Sequence, residues 1–203
     1  MAEKGDITRA RILDEAVRVA SRDGLAGLSI GVLATVLGMS KSGLFAHFGS
    51  KEALQIAALE HAAAQVQERT APAGRMPPGP EQLRFLFRAI QGWIDDPELP
   101  GGCPITGACI EFDDQDGPVR EALVRIQRSS MQGAVAMFDR FADPALDREQ
   151  LAFEFRAICL AYHHAARLLR EPKAGAWARN ALEALIQRAL GPAEAKPRAI
   201  PGR

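Results

Sequence analysis

The apolar residues of this chain recur with the period of an α-helix. They lie three and four positions apart almost throughout, alanine and leucine dominate, and runs of β-branched residues are missing, a pattern typical of amphipathic helices. Two stretches rich in proline and glycine, TAPAGRMPPGP and DDPELPGGCP, interrupt the pattern because such residues end helices. We therefore predict an all-α protein with helices at 6–23, 30–37, 40–45, 51–70, 81–95, 104–112, 118–141, 147–170 and 173–190.

Two helix starts lie close together in the N-terminal quarter of the chain. Ser29 and Ser40 each precede an apolar helical run, where a serine hydroxyl caps the first free N–H groups. Between them, Gly38 can take the left-handed conformation that ends a helix. Small Ala34 and apolar Leu44 stand where two crossing helices would meet. This spacing fits a helix-turn-helix, although any helical corner with a glycine cap shares it.

The helix predicted at 147–170 is apolar on two faces. One stripe consists of Leu151, Phe155, Ile158, Tyr162, Ala165 and Leu169, and the second of Phe153, Ala157, Leu160, His164 and Leu168. Such a helix must bury both faces. Either one face serves its own lobe and the other a partner subunit, or the helix is buried within one chain. In the first case the last helix would contribute to the same subunit interface through small and apolar residues: Trp177, Ala178, Ala181, Leu182, Leu185 and Ala189.

The composition is that of an ordinary soluble globular protein, with 47% apolar and 25% charged residues among 203. No apolar run approaches the roughly 18 residues of a membrane span, and the start lacks the apolar core of a signal peptide. Three irregularly spaced cysteines do not make a disulfide framework, which favours the cytoplasm. Formal net charge is zero, with a surplus of two positive charges through Lys51. Charge alone therefore gives no argument for nucleic acid.

Enzyme and metal chemistry find little support in the pattern. The acidic stretch EFDDQDGP places Phe112 and Leu123 where a calcium-binding loop needs carboxylates, so we expect a solvated loop there. The cysteines do not have zinc-ligand spacing, and His163 and His164 point to different faces of one helix. No nucleophile elbow or phosphate-binding glycine loop is present. We expect no enzyme activity, no metal and no cofactor.

The stretch LSIGVLATVLGMSKSGLFAHFGSKEAL resembles the DNA-binding region of the tetracycline-repressor (TetR) family. The resemblance is carried by Ser29, Leu33, Ala34, Gly38, Met39, Ser40, Phe45, His47, Phe48 and residues 50–54. It implies a homodimeric transcriptional regulator, a repressor, in which residues 1–50 form a three-helix DNA-binding lobe. Residues 51–70 would form a connecting helix and 80–190 a larger helical ligand-binding and dimerisation lobe. We expect 191–203 to be a disordered tail.

The resemblance makes residues 40–45 the helix that reads duplex DNA. The residues that we expect at the DNA are Ser29, Ser40, Lys41, Ser42, Gly43, Phe45, His47 and Lys51. Lys41 and Ser42 stand in the first turn, which meets base edges in this geometry. Phe45 replaces the family's usual tyrosine and Gly43 a threonine or serine, which removes two hydrogen-bonding hydroxyls. We therefore expect modest base specificity, with phosphate and shape contacts carrying more of the binding.

Lys51 is assigned to the DNA on physical grounds. It is the first residue of the predicted connecting helix, where the helix dipole disfavours a cation and free N–H groups favour an anion. A DNA phosphate resolves both conflicts, whereas a lysine left in water loses only about a few tenths of a kcal/mol. Solvation is likewise the alternative for Lys41, and a packing role is the alternative for His47.

The resemblance also implies a palindromic double-stranded DNA operator, a small-molecule effector and a cytoplasmic protein without membrane contact. A dimer is expected because two short reading helices in successive major grooves supply the affinity that one lacks. The expected ligand is mainly apolar, and its expected lining is Phe85, Trp93, Ile110, Met131, Phe155, Cys159, Tyr162 and His164. Core packing explains most of these residues equally well. The alternative function is a helical small-molecule-binding protein or enzyme with a degenerate DNA-binding lobe, which Gly43 and Phe45 favour.

Overall fold

A computed structural model describes residues 2–191, with side chains from residue 9 onward. Within this range every regular element is helical, as the apolar pattern predicts. The helices are α1 (Ala2–Asp23), α2 (Ile30–Leu37), α3 (Lys41–Phe48), α4 (Lys51–Thr70), α5 (Pro80–Ile94), α6 (Pro104–Glu111), α7 (Pro118–Asp139), α8 (Arg148–His163) and α9 (Ala174–Ala189). A 3₁₀ turn (Ala71–Arg75) follows α4, and a π-helical turn (His164–Leu168) follows α8. Of the predicted tail, only Gly191 lies among the described residues.

Three of the predicted helices differ from the observed ones by more than two residues. α1 begins at Ala2 instead of residue 6 or 7, and the alanine, glutamate and lysine that open it are good helix formers. α3 continues to Phe48, where Gly49 ends it. α8 is regular only to His163, because the backbone then widens into the π-helical turn. Periodicity detects the existence of a helix better than its ends.

The corner between α2 and α3 is built by the caps that the sequence predicts. Ser29 Oγ accepts a hydrogen bond from the Val32 N–H (3.2 Å), and Ser40 Oγ accepts one from the Gly43 N–H (3.1 Å). Gly38 ends α2 in the left-handed conformation, with φ 64° and ψ 26°. Because a residue with a Cβ is strained at this φ, glycine makes the abrupt change of direction inexpensive.

The side chains pack into two hydrophobic cores. The first is formed by α1 to α4 together with α6 and the beginning of α7. The second is formed by α5, α8, α9 and the remainder of α7. Ile105 and Ala108 of α6 are buried in the first core. The N-terminal core therefore extends well beyond residue 50, and α6 and α7 join the two lobes.

The two apolar stripes of α8 have different surroundings. Residues of the first stripe that are buried in the second core include Leu151, Phe155 and Tyr162. The second stripe faces outward, with exposed fractions of 60% at Phe153, 41% at Leu160 and 71% at Leu168. Leu169, which the sequence placed in the first stripe, is also exposed, because the π-helical turn shifts the register of the residues that follow it. One apolar face of this helix is thus left uncovered in the protomer.

α9 divides its apolar residues between the core and the surface. Our expectation that Leu182 lies at a subunit seam is wrong, because its side chain is 2% exposed and packs in the protomer's own core. Trp177 and Ala181 lie instead on the outer face of the helix. Among the helices of residues 2–191, none has both the length and the apolarity needed to cross a membrane.

Candidate functional site

The first turn of α3 presents polar side chains to solvent. Lys41 and Ser42 are exposed, and the Ser42 hydroxyl lies 3.4 Å from the hydroxyl of the capping residue, Ser40. Phe45, on the next turn, is 55% exposed. A Cβ built on Gly43 would stand 3.0 Å from Ser40 Oγ, so any side chain at this position would crowd the cap. The front of α3 is therefore free to meet another molecule.

The back of α3 is fixed to α1. The Arg9 guanidinium donates to the His47 carbonyl (2.9 Å) and lies 4.8 Å from the centre of the Phe48 ring. Phe48 belongs to the first core, and the half-buried His47 ring lies 6.2 Å from it. These contacts favour a packing role for His47, and they hold the helix rigidly behind its exposed first turn.

Lys51 has a partner that the sequence did not indicate. It is the first residue of α4, and its ammonium donates to the Ala26 carbonyl (2.7 Å) in the α1–α2 loop (residues 24–29). The carbonyl oxygen offsets the unfavourable position of a cation at a helix N-terminus. Since an ammonium has three N–H donors, two remain for a phosphate.

The same α1–α2 loop is held from the larger lobe by Glu111, the last residue of α6. Its carboxylate accepts hydrogen bonds from the N–H groups of Leu25 (3.1 Å) and Ala26 (2.7 Å). On the other side, Gln55 of α4 donates to the Leu25 carbonyl (2.7 Å). The sequence predicted a solvated acidic loop at Glu111 and did not indicate this role, because the partners of Glu111 lie more than 80 residues away in the chain.

The segment before α6 is also attached to α1. The Ser21 hydroxyl donates to the Gly102 carbonyl (2.8 Å) and accepts from the Gly101 N–H (3.0 Å). A Cβ on Gly101 would stand 1.7 Å from the Ser21 carbonyl oxygen, so the two backbones approach closely only because residue 101 is glycine. The segment before α6 and the last residue of α6 are therefore both hydrogen-bonded to the end of α1 or to the loop that follows it.

A groove of about 800 Å³ opens between α6 and the C-terminal half of α8, which we call the α6–α8 groove. The π-helical turn forms part of its wall, and such turns are frequent at functional sites. The lining residues that bear on ligand binding are Cys109, Ile110, Arg156, Leu160, His163, His164, Arg167, Leu168 and Arg170. The groove combines apolar and cationic side chains.

The eight residues predicted to line a ligand pocket are not gathered in one cavity. Ile110 and His164 line the α6–α8 groove. The second core contains three of the predicted residues, all from α8: Phe155, Cys159 and Tyr162. Met131 packs against this core. Phe85 is half-buried on α5. Trp93 is buried in the first core, 5.2 Å from the Arg69 guanidinium, beside a smaller cavity of about 310 Å³.

Burial favours the neutral form of several titratable side chains around the second core and the groove. Burial raises the pKa of Cys159 to about 12, and it raises the pKa of Cys109 as well, so both thiols are poor nucleophiles. Burial and the adjacent Asp95, to which the hydroxyl donates, raise the pKa of Tyr162. Burial first, and then the charges of Arg167 and His164, lower the pKa of His163. Among the described residues, no group of three His, Cys, Asp or Glu side chains is placed to hold a metal ion.

Two family comparisons cover most of the chain. Residues 12–58 match the family described as bacterial regulatory proteins, tetR family, and residues 79–182 match the one described as tetracyclin repressor-like, C-terminal domain. The second match alone covers half of the sequence. The search of curated proteins finds no match.

Solved structures with the same fold come from several bacteria. A TetR-family regulator from Cytophaga hutchinsonii is 24% identical with a TM-score of 0.80, covering 94% of this chain and 98% of that one. A TetR regulator from Chloroflexus aurantiacus is 26% identical with a TM-score of 0.78, covering 91% and 95%. AibR, solved in complex with isovaleryl coenzyme A and operator DNA, is 20% identical with a TM-score of 0.68, covering 88% and 98%.

Proposed function

This chain belongs to the TetR family of transcriptional regulators, and from that premise we propose that it is a homodimeric repressor, released from a palindromic operator by a small molecule. The observation that carries the proposal is the state of α3, whose first turn is exposed while its back is fixed to α1. A reading helix needs this combination, since base contacts require a free polar edge held in a constant orientation. A regulator of this kind acts in the cytoplasm, where the DNA is.

The DNA contacts divide into two kinds. Lys41 and Ser42 lie in the first turn of α3 and would reach base edges in the major groove. Lys51 would contact phosphate with the ammonium donors that Ala26 leaves free, close to the N-terminus of α4. Ser29 and Ser40 act mainly as helix caps, and their contribution to DNA binding is to hold the corner in shape.

The outward face of α8 and α9 supplies the proposed dimer interface. It is an apolar surface that the protomer leaves uncovered: Phe153, Ala157, Leu160, Leu168, Trp177 and Ala181. Exposed apolar residues that cluster on one face mark sites of association. To read successive major grooves, a dimer formed through this face has to set its two copies of α3 about 34–36 Å apart.

The small molecule would bind in the larger lobe, in the α6–α8 groove. The complex of AibR with isovaleryl coenzyme A and operator DNA supports the idea that one such fold serves both ligands. Cys109 and Ile110 of α6 line the groove, and the next residue, Glu111, holds the α1–α2 loop. A ligand that displaces α6 would therefore displace this loop, together with the α4 residues bonded to it.

The proposal is tested by selecting duplexes from a random library with the purified protein. We expect an enriched palindrome, bound by a dimer in sedimentation and binding titrations. Phe153→Arg should yield folded monomers with much weaker binding to the palindrome, because Phe153 is 60% exposed and its replacement leaves the core intact. Gln132→Arg, at an exposed position of α7, is the matched control and should remain dimeric. Failure to enrich any sequence would refute the proposal.

A further inference from the structure

The lining of the α6–α8 groove has a one-sided charge. Its three arginines, Arg156, Arg167 and Arg170, carry positive charge, and it contains no aspartate or glutamate; His163 and His164 are also part of the lining. We propose that the groove binds a small amphiphilic anion, a molecule with a carboxylate or phosphate group on an apolar body. This inference rests on the proposed role as an effector-controlled regulator, and it revises the mainly apolar ligand expected from the sequence.

The positive charge of the groove is uncompensated. Arg156 donates to the amide oxygen of Gln127 (2.6 Å), and Arg167 donates to the carbonyls of Leu99 (3.1 Å) and Pro100. Among the described residues, no carboxylate lies within ion-pair distance of these two arginines or of Arg170. Neutral oxygens orient a guanidinium without cancelling its charge, so its remaining donors favour an anion.

Arginines elsewhere in the same lobe show the contrast. Arg84 of α5 donates to the Glu183 carboxylate of α9 (2.6 Å), and Arg188 of α9 is paired with Glu154 of α8. Each of these two arginines has a carboxylate from a neighbouring helix within ion-pair distance, which the groove arginines lack among the described residues.

His163 lies at the inner wall of the groove with an unused ring nitrogen. Its Nε2 is buried and has no hydrogen-bond partner among the described residues. The backbone of Gly102 comes so close that a Cβ there would stand 2.7 Å from Nε2. Burial first, and then the charges of Arg167 and His164, lower the pKa of His163. A bound anion would offset the positive charge that Arg167 places at this wall.

The remaining surface of the groove is apolar. Ile110 is 74% exposed, Leu168 71% and Leu160 41%, so the groove offers large side chains that water covers in the free protomer. Its volume of about 800 Å³ falls in the range of sites for drug-sized ligands, about 300–1,000 Å³. A purely apolar ligand would bury the arginine charges without an opposite charge beside them, which is costly. A ligand that is both apolar and anionic satisfies the two parts of the lining.

The test uses the full-length dimer and four probes with the same eight-carbon chain: octanoate, octyl phosphate, octanamide and octylamine. Calorimetric titration should show binding of octanoate or octyl phosphate at least about tenfold tighter than that of octanamide, since charge-assisted hydrogen bonds are about twice as strong as neutral ones. Octylamine should not bind. The stronger of the two anions then tells a carboxylate site from a phosphate site.

Variants locate the binding. Arg156→Gln and Arg170→Gln should each weaken the preferred anion at least about fivefold, and Arg128→Gln, exposed on α7 outside the groove, should leave it unchanged. Arg170 has no described hydrogen-bond partner, so its variant tests the site even if Arg156→Gln impairs folding. Equal binding of octanoate and octanamide, or unchanged affinity in Arg170→Gln, overturns the proposal.

A partner subunit could instead supply carboxylates to these arginines, because Leu160 and Leu168 also belong to the proposed dimer face. In that case no anion binds, and Arg156→Gln shifts the monomer–dimer equilibrium; this result also overturns the proposal. Binding of the selected palindrome, measured without any probe, tests the regulator function separately. A protein that binds its palindrome and ignores all four probes keeps that function and loses the anion site.

Discussion

Replacing Glu111 by glutamine should loosen the α1–α2 loop while leaving both cores intact. The carboxylate accepts two backbone hydrogen bonds, from Leu25 and Ala26, and the residue is half-buried. Glutamine has one acceptor oxygen, so one of the two N–H groups would face an amide N–H₂ group. Hydrogen bonds to a charged group contribute about 1.5–3 kcal/mol each, and partial exposure reduces this. We expect a local loss of about 1–2 kcal/mol.

Hydrogen exchange of the Leu25 and Ala26 amides measures this loss directly. A loss of about 1–2 kcal/mol corresponds to opening roughly 5–30 times more often, and exchange should accelerate by that factor. Amides in the middle of α8 should exchange as in the wild type, because the second core is untouched. Glu60→Gln, an exposed position on α4, is the control for removing one negative charge and should not change exchange in the loop.

Unchanged exchange in the Glu111→Gln variant would contradict this role of the carboxylate. If the Leu25 and Ala26 amides exchange at the same rate in Glu111→Gln and in the wild type, the carboxylate does not hold the loop in solution. Transmission from α6 to the N-terminal lobe would then have to run through Ser21 and the segment before α6. Ser21→Ala, which removes the bonds to Gly101 and Gly102, would accelerate exchange there instead.

Three further predictions concern single side chains. Lys51→Ala should weaken random and selected DNA by similar factors and flatten the slope of log K against log[salt] by about 1.8 for a dimer; an unchanged slope would exclude a phosphate contact. Lys41→Ala should cost about 1–3 kcal/mol per half-site on the selected palindrome and little on random DNA, and equal losses on both would assign Lys41 to phosphate. Burial, and then Arg167 and His164, lower the pKa of His163 in the folded protein. The neutral His163 ring therefore contributes fully to stability above the ordinary histidine pKa of about 6.5, and this contribution is lost as the pH falls below that value. The melting temperature should therefore drop less between pH 7 and pH 5 in His163→Gln than in the wild type, and identical profiles would contradict this.

The features that the sequence predicts well are local. Ser29, Gly38 and Ser40 stand within four residues of the groups they cap, so their residue types are enough to place the corner between α2 and α3. The two apolar stripes of α8 are also predictable from the sequence, because the helical period fixes which side chains share a face. Periodicity does not indicate which face has a cavity beside it. For this reason the expected ligand lining took residues from the buried stripe, such as Phe155, together with residues of the groove, such as His164.

The features that the sequence does not predict depend on distant partners. Glu111 bonds to residues 85 and 86 positions away, and Lys51 bonds to a carbonyl in a loop whose path is fixed only by the complete fold. Trp93 is buried against Arg69 because α5 ends beside α4. Leu182 has the same apolar character as an interface residue, and only the packing of α9 on α8 places it inside the protomer.

The position of α6 explains how a groove in one lobe could control DNA binding by the other. Cys109 and Ile110 line the groove and stand directly before Glu111 in the same eight-residue helix, so a ligand that displaces the end of this helix would displace Glu111 with it. A ligand that prefers the non-binding state tenfold to a hundredfold supplies about 1.4–2.7 kcal/mol of coupling. Loss of one bond from Glu111 to the α1–α2 loop costs about 1–2 kcal/mol, so loss of both costs about 2–4 kcal/mol. The two ranges overlap, so breaking this contact would account for coupling of that size without a rearrangement of either core.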